Sequence, residues 1–152
     1  MTGADEPGFS DLAPSLAVRG AAGLHVVSGL YVLLSAVQLL TSVVFFGALW
    51  MVQVLNWALI VMGVAQIAVG AQLIRMRTPW AVIATVFGFA LALLVTGWMI
   101  ANVAFTIFSC MQLGALVFAW SAAMLSPLTI GAVARASQAR KKLEEGGMGL
   151  GL

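Results

Sequence analysis

Few residues in this chain could carry chemistry. Its 152 residues include one cysteine, Cys110, and one histidine, His25. A single cysteine cannot form an internal disulfide or a thiolate metal cluster, and a single histidine cannot supply both axial ligands of a haem within one chain. No base, nucleophile or metal-ligand cluster converges elsewhere. We therefore predict no catalytic residues, no cofactor and no metal site, and we expect that the chain is not an enzyme.

His25 has two competing interpretations. Its imidazole could relay protons or act as a pH switch, because histidine titrates near neutrality. The long uncharged run around it contains no carboxylate that could exchange a proton with it, and intramembrane proton relays use such groups. We therefore favour a neutral histidine that is interfacial or hydrogen-bonded.

The cations could contact anionic lipid, because basic clusters beside a membrane attract phosphate headgroups. The candidate residues for this contact are Arg75, Arg77, Arg140, Lys141 and Lys142. The alternative is that these cations only determine how the chain is oriented in the membrane. The net charge of +2 is spread over three short flanks. This distribution excludes a basic surface for nucleic acid, and we predict no nucleic-acid partner.

The elements that position these residues are apolar. Hydrophobic residues make up 62% of the chain and charged residues only 8%, whereas about 25% of a soluble domain is charged. No Asp, Glu, Lys or Arg occurs in 20–74 or in 78–134, and each run is about twice the roughly 20 residues that cross a bilayer as helix. The sequence therefore predicts an all-α membrane protein with four transmembrane helices, arranged as two antiparallel helical hairpins. The predicted helices are 21–46, 51–74, 79–104 and 109–134.

Two short segments flank the predicted transmembrane domain of 21–134. Residues 1–20 could include an interfacial helix, and residues 135–152 are predicted to be a basic extension of the fourth helix followed by a flexible tail. With four spans, all cations fall on one side and the opposite side carries no charge. The positive-inside rule then predicts cytoplasmic N- and C-termini. The alanine- and glycine-rich composition favours a bacterial inner membrane.

Uncharged polar residues recur at alternating steps of three and four residues, which places them on one face of each predicted helix. The predicted interhelical polar residues are Ser28, Tyr31, Ser35, Gln38, Ser42, Asn56, Gln66, Asn102 and Gln112. An antiparallel register predicts the facing pairs Ser28 with Gly70, Tyr31 with Gln66, Ser35 with Gly63, Ser42 with Asn56, and Asn102 with Gln112. We expect these side chains to be buried between helices.

A second set of small residues lies outside these polar faces. Its members are Ala22, Gly29 and Ala36 on the first span, and Ala90, Gly97, Ala101 and Ala104 on the third. Small residues allow helix backbones to approach closely in membranes. This set could join the two hairpins or join subunits, and the sequence does not divide the two roles.

The polar faces permit two functional interpretations. Side chains that face each other across helices would form packing seams, in which each hydrogen bond contributes about 0.6 kcal/mol. This favours a structural or accessory subunit of a membrane complex, with the lipid bilayer and either further copies or another membrane protein as partners. The alternative is that the polar residues line an oligomeric channel or an uncoupled transporter for a small solute or ion. The lack of intramembrane charge argues against ion-coupled transport.

Overall fold

Four α-helices make up the described part of the chain. The computed structural model describes residues 13–46, 50–102 and 110–145, and the side chains at 41–46, 50–52, 101–102 and 143 are outside that description. The helices are α1 (Leu16–Phe46), α2 (Trp50–Leu73), α3 (Thr78–Asn102) and α4 (Cys110–Glu145). All four are long and apolar enough to cross a membrane. The all-α class is confirmed, and this composition suggests a membrane protein.

The helices differ in length. With 24 and 25 residues, α2 and α3 rise about 36–38 Å, which is enough to cross a hydrocarbon core of about 30 Å. With 36 residues, α4 rises about 54 Å and therefore projects beyond its neighbours. The structure begins α1 at Leu16, five residues before the predicted span. The turns that close the hairpins are predicted at 46–50 and 105–109. Phe46 and Trp50 belong to α1 and α2, and the rest of both predicted turns lies outside the described residues.

The central contact of the bundle is between α1 and α4, and α2 and α3 pack on either side of it. Both α2 and α4 pack against α1, α3 packs against α4, and the contact between α2 and α3 is the smallest of these. α1 and α2 run antiparallel, since Gly70 near the end of α2 lies against Ala22 near the start of α1. Alanines fill much of the interior, with Ala92 and Ala119 fully buried. Small side chains at these positions let the helix axes approach closely.

One buried cluster brings the basic flanks together. It joins Val18 of α1, Leu73 of α2, Ala81 of α3 and Ala136 of α4. The segments that carry the cations therefore lie at the same end of the bundle. We call this the basic end, and we call the other the opposite end.

The α2–α3 turn at the basic end is held by its own backbone. The Met76 N–H donates to the Leu73 carbonyl at 3.1 Å, and the Trp80 N–H donates to the Arg77 carbonyl at 3.0 Å. Met76 has a φ of 52°, which is unusual for a residue with a long side chain. Its side chain is buried in the cluster at the basic end, so burial holds the turn in this conformation.

The register between α1 and α2 differs from the predicted one. Gly63 lies against Gly29 and Leu33, and Gly70 lies against Ala22 and Val26. Both glycines of α2 are thus about four residues, or one helical turn, away from their predicted partners on α1. The reason is steric. A Cβ atom on Gly29 would lie only 2.6 Å from the Gly63 carbonyl oxygen, so the two backbones approach where neither residue has a side chain.

Candidate functional site

His25, the single histidine of the chain, lies where all four helices meet. It belongs to α1 and its side chain is fully buried. Gly70 of α2 and Gly88 of α3 both contact it, and a Cβ atom on Gly88 would lie 3.3 Å from its Cε1 atom. Ser126 of α4 is its hydrogen-bond partner. Glycines on two helices thus make room for the imidazole ring at the centre of the bundle.

The hydrogen bonds around His25 determine its tautomer. His25 Nε2 lies 2.7 Å from Ser126 Oγ, and the Ser126 hydroxyl donates its proton to the Ala122 carbonyl at 2.6 Å. Ser126 Oγ must then accept from His25, so Nε2 carries the proton and Nδ1 is an acceptor. The preferred interpretation of His25 as a hydrogen-bonded histidine agrees with this geometry, whereas an interfacial position does not.

Several buried polar atoms around the imidazole have no partner among the described residues. They are Nδ1 of His25, Oγ of Ser28, and both Nε2 and Oε1 of Gln66. Gln66 lies beside the imidazole, and its side chain is fully buried. Buried polar atoms without partners are costly and are usually satisfied by ordered water. We refer to His25, Ser28, Gln66 and Ser126 as the polar centre.

A second buried polar contact lies nearer the opposite end. The indole Nε1 of Trp98 donates to Oδ1 of Asn56 at 2.7 Å, and so joins α3 to α2. Both side chains are buried. From the sequence, Asn56 was predicted to face Ser42, whose side chain lies outside the described residues. Trp98 had no predicted partner, although its position three residues after Val95 places it on the interior face of α3 and could have indicated this role.

The other predicted polar residues divide between the interior and the surface. Ser35 and Gln112 are buried as expected, and the side chain of Asn102, the predicted partner of Gln112, is outside the described residues. Two predictions are wrong. Gln38 is exposed, because the interior face of α1 at that level is formed by residues 36 and 39 instead. Tyr31 packs against Gly114 and Phe118 of α4 and not against Gln66, because α1 lies between α2 and α4.

The five candidate lipid-contacting cations also divide into two groups. Arg77, Arg140 and Lys141 line a cleft between the α2–α3 turn and the projecting part of α4. Arg75 and Lys142 are exposed and are not among the lining residues of that cleft. Lipid contact itself stays a prediction for all five.

The described residues offer hydrogen-bonding groups but few reactive ones. Cys110 is exposed at the start of α4, far along the bundle from His25, and within the described ranges no group of three His, Cys, Asp or Glu could hold a metal ion. The arrangement can bind water or another small polar molecule at the polar centre, and an anion at the basic end. No protein-family model, curated protein or solved structure matches the chain, so its own residues must carry any functional inference.

Proposed function

We propose that the chain is a small non-enzymatic subunit of a membrane complex, and that it assembles through the outward face of α3. The observation that carries this proposal is a row of five exposed residues spaced by four and three. They are Val86, Ala90, Leu93, Gly97 and Ile100. Large and small residues alternate along this row, and a Cβ atom on Gly97 would meet nothing within 4 Å.

Such a row suits a second helix. Lipid tails are as apolar as Leu, so helices associate in membranes by close packing, and small residues provide the space for it. The small residues at 90 and 97 would accept the large side chains of a partner helix between the exposed Leu93 and Ile100. The comparable small residues of α1, among them Ala22 and Gly29, are already buried within the chain.

Replacement of Gly97 by leucine tests the proposal. Gly97→Leu fills the space into which a partner helix would pack, and self-association in lipid vesicles, measured by resonance energy transfer, should weaken about tenfold or more. Gly131→Leu is the matched control, since Gly131 is also exposed and has nothing within 4 Å. It should leave association unchanged. A wild-type chain that is monomeric at all protein-to-lipid ratios would exclude the homo-oligomer and leave assembly with another membrane protein.

The orientation is part of the same proposal. The basic end should face the cytoplasm, because cations are retained on that side, and a bacterial inner membrane is the proposed location. The gathering of the basic flanks at a single end of the bundle supports this assignment.

An oligomeric channel or an uncoupled transporter for a small solute or ion is a second candidate. It is supported by buried polar atoms of His25, Ser28, Ser35 and Gln66 that have no hydrogen-bond partner among the described residues. If water links these atoms, a polar path could follow the interior of the bundle. Solute flux into liposomes distinguishes the two functions. A wild-type flux that is lost in Gln66→Leu but kept in Gln38→Leu, where the amide is exposed, would favour the channel.

A further inference from the structure

We propose that the cleft at the basic end binds the phosphate group of an anionic phospholipid. The cleft has a volume of about 320 Å³ and lies between the α2–α3 turn and the projecting part of α4. Its polar lining comes from two segments: Arg77 and Thr78 on one side, and Ser137, Arg140, Lys141 and Glu144 on the other. This site is independent of the proposed assembly through α3, and the two proposals can fail separately.

The charge in the cleft favours an anion. Two guanidinium groups and one ammonium group meet a single carboxylate, that of Glu144. Arginine binds phosphate oxygens through two parallel hydrogen bonds, and such charge-assisted bonds are about twice as strong as neutral ones. The hydroxyls of Thr78 and Ser137 add donors for the remaining phosphate oxygens. The net charge of the four charged side chains is positive and exceeds the single negative charge of a phosphodiester.

The turn that supplies Arg77 and Thr78 is fixed before any ligand binds. Met76, directly before Arg77, is buried and adopts its unusual φ of 52° within the core cluster. The Arg77 carbonyl accepts the Trp80 N–H, which ties the turn to the start of α3. A ligand therefore loses little free energy in ordering this side of the cleft.

The position of the cleft relative to the membrane favours a lipid over a soluble ligand. The apolar span of α3 begins at Thr78, and the uncharged run of α4 ends just before Arg135. The lining residues thus lie where the hydrocarbon core gives way to headgroups. A phosphate held there would leave its acyl chains beside the apolar surface of α3, where Val82 and Ile83 are exposed.

Four of the cations at this end provide an internal control. Arg77 and Arg140 line the cleft, whereas Arg75 and Lys142 are not among its lining residues. General attraction to a charged surface would depend on all four about equally, at about 1 kcal/mol for each cation. A specific phosphate site depends on Arg77 and Arg140 and is almost indifferent to Arg75 and Lys142.

The test is a titration of phosphatidylglycerol into the purified full chain in neutral detergent micelles with about 150 mM salt, which screens exposed charges. Bound lipid is counted by native mass spectrometry. Arg77→Gln and Arg140→Gln should each weaken binding about tenfold or more, whereas Arg75→Gln and Lys142→Gln should change it less than about twofold. Equal losses in all four variants would overturn the proposal. Helix content by circular dichroism verifies that each variant is folded.

Two further arms identify the ligand. Glu144→Gln removes the one carboxylate among the described residues that line the cleft, and it should strengthen phosphatidylglycerol binding several-fold. A weaker affinity in this variant would contradict an anionic headgroup, since it would mean that Glu144 holds a cationic group of the ligand. Inorganic phosphate at millimolar concentration should not displace the lipid. Displacement would overturn the lipid assignment and identify a site for soluble phosphate.

Discussion

His25 and its neighbours show how an uncharged interior accommodates polar groups. The imidazole donates to Ser126, and the Ser126 hydroxyl in turn donates a hydrogen bond to a carbonyl of its own helix. Thr129 bonds back to its helix in the same way, at 2.7 Å from the Ser126 carbonyl oxygen. Each donor that finds a partner limits the cost of burying it in an apolar bundle. At the centre, atoms of His25, Ser28 and Gln66 have no partner among the described residues, and a water molecule could connect them.

At this scale the first prediction concerns Ser126. Ser126→Ala should lower the free energy of unfolding by about 1 kcal/mol, because the buried Nε2 proton of His25 loses its acceptor. Ser121→Ala is the control, since Ser121 lies on the same helix and its hydroxyl bonds only to the carbonyl of Val117. It should cost less than about 0.5 kcal/mol. Unfolding in mixed detergent micelles measures both, and equal losses would show that the His25 contact contributes nothing.

A second prediction at this scale concerns the two tryptophans that differ most in environment. Trp98→Phe removes the Nε1 donor to Asn56, and it should destabilise the chain by about 1 kcal/mol. Trp57→Phe makes the same chemical change at a residue that is 61% exposed, and we expect no measurable loss. The same unfolding assay applies. Stability that falls as much in Trp57→Phe would indicate a general effect of indole removal.

Among the elements, small residues decide which helix faces meet. Gly29 and Gly63 allow α1 and α2 to approach closely. Gly88 does the same for α3 and α4, since a Cβ atom on Gly88 would lie 3.3 Å from the Ala123 Cα atom. On α1, His25 and Tyr31 contact α4. In α4, the buried residues Gln112, Ser126 and Thr129 all point to the interior.

How far the sequence predicts this arrangement depends on the element. Helix number follows from the uncharged runs, and the interior face of α4 follows from the three- and four-residue steps, because the period of a helix determines which residues share a face. The same steps do not determine which neighbour that face meets. Tyr31 lies against α4 because α1 packs on α4 as well as on α2, and Gln38 is exposed because residues 36 and 39 form the interior face at that level. The contact of His25 with Ser126 spans 101 positions, and no local pattern encodes it.

The element-scale prediction compares two glycines of α1. Gly29→Ala places a methyl group 2.6 Å from the Gly63 carbonyl oxygen, and overpacking of this kind should cost about 1–3 kcal/mol as the helices separate. Gly23→Ala introduces the same methyl group where nothing lies within 4 Å. It should leave stability unchanged or raise it by up to about 1 kcal/mol, because alanine is the better helix former. A loss in Gly23→Ala equal to that in Gly29→Ala would exclude the close approach as the cause.

For the whole molecule, the two ends differ chemically. The basic end carries the projecting part of α4 and the cleft, and the exposed Cys110 begins α4 at the opposite end. The single cysteine of the chain can therefore be labelled chemically, and it marks the opposite end only. This asymmetry makes the proposed orientation accessible to a simple chemical test.

The prediction at this scale is that a membrane-impermeant maleimide, added to intact cells, labels Cys110 in the wild-type chain. Gln138→Cys, made in a Cys110→Ser background, should stay unlabelled until the cells are opened, because position 138 lies at the basic end and is exposed there. The reason is the retention of cations on the cytoplasmic side. The reverse pattern of labelling would contradict the proposed orientation.

The separation between His25 and Ser126 has a consequence for biosynthesis. At about 5–20 residues per second, a ribosome needs roughly 5–20 s to make the 101 residues between them. During this interval α1 can already pack on α2 through its glycine face, but its imidazole has no α4 on which to dock. The incomplete bundle therefore stays in the membrane for several seconds while the imidazole of His25 lacks its partner on α4. A stop codon after α3 should leave the imidazole permanently without this partner, and membrane quality-control proteases should degrade the truncated chain faster than the complete one.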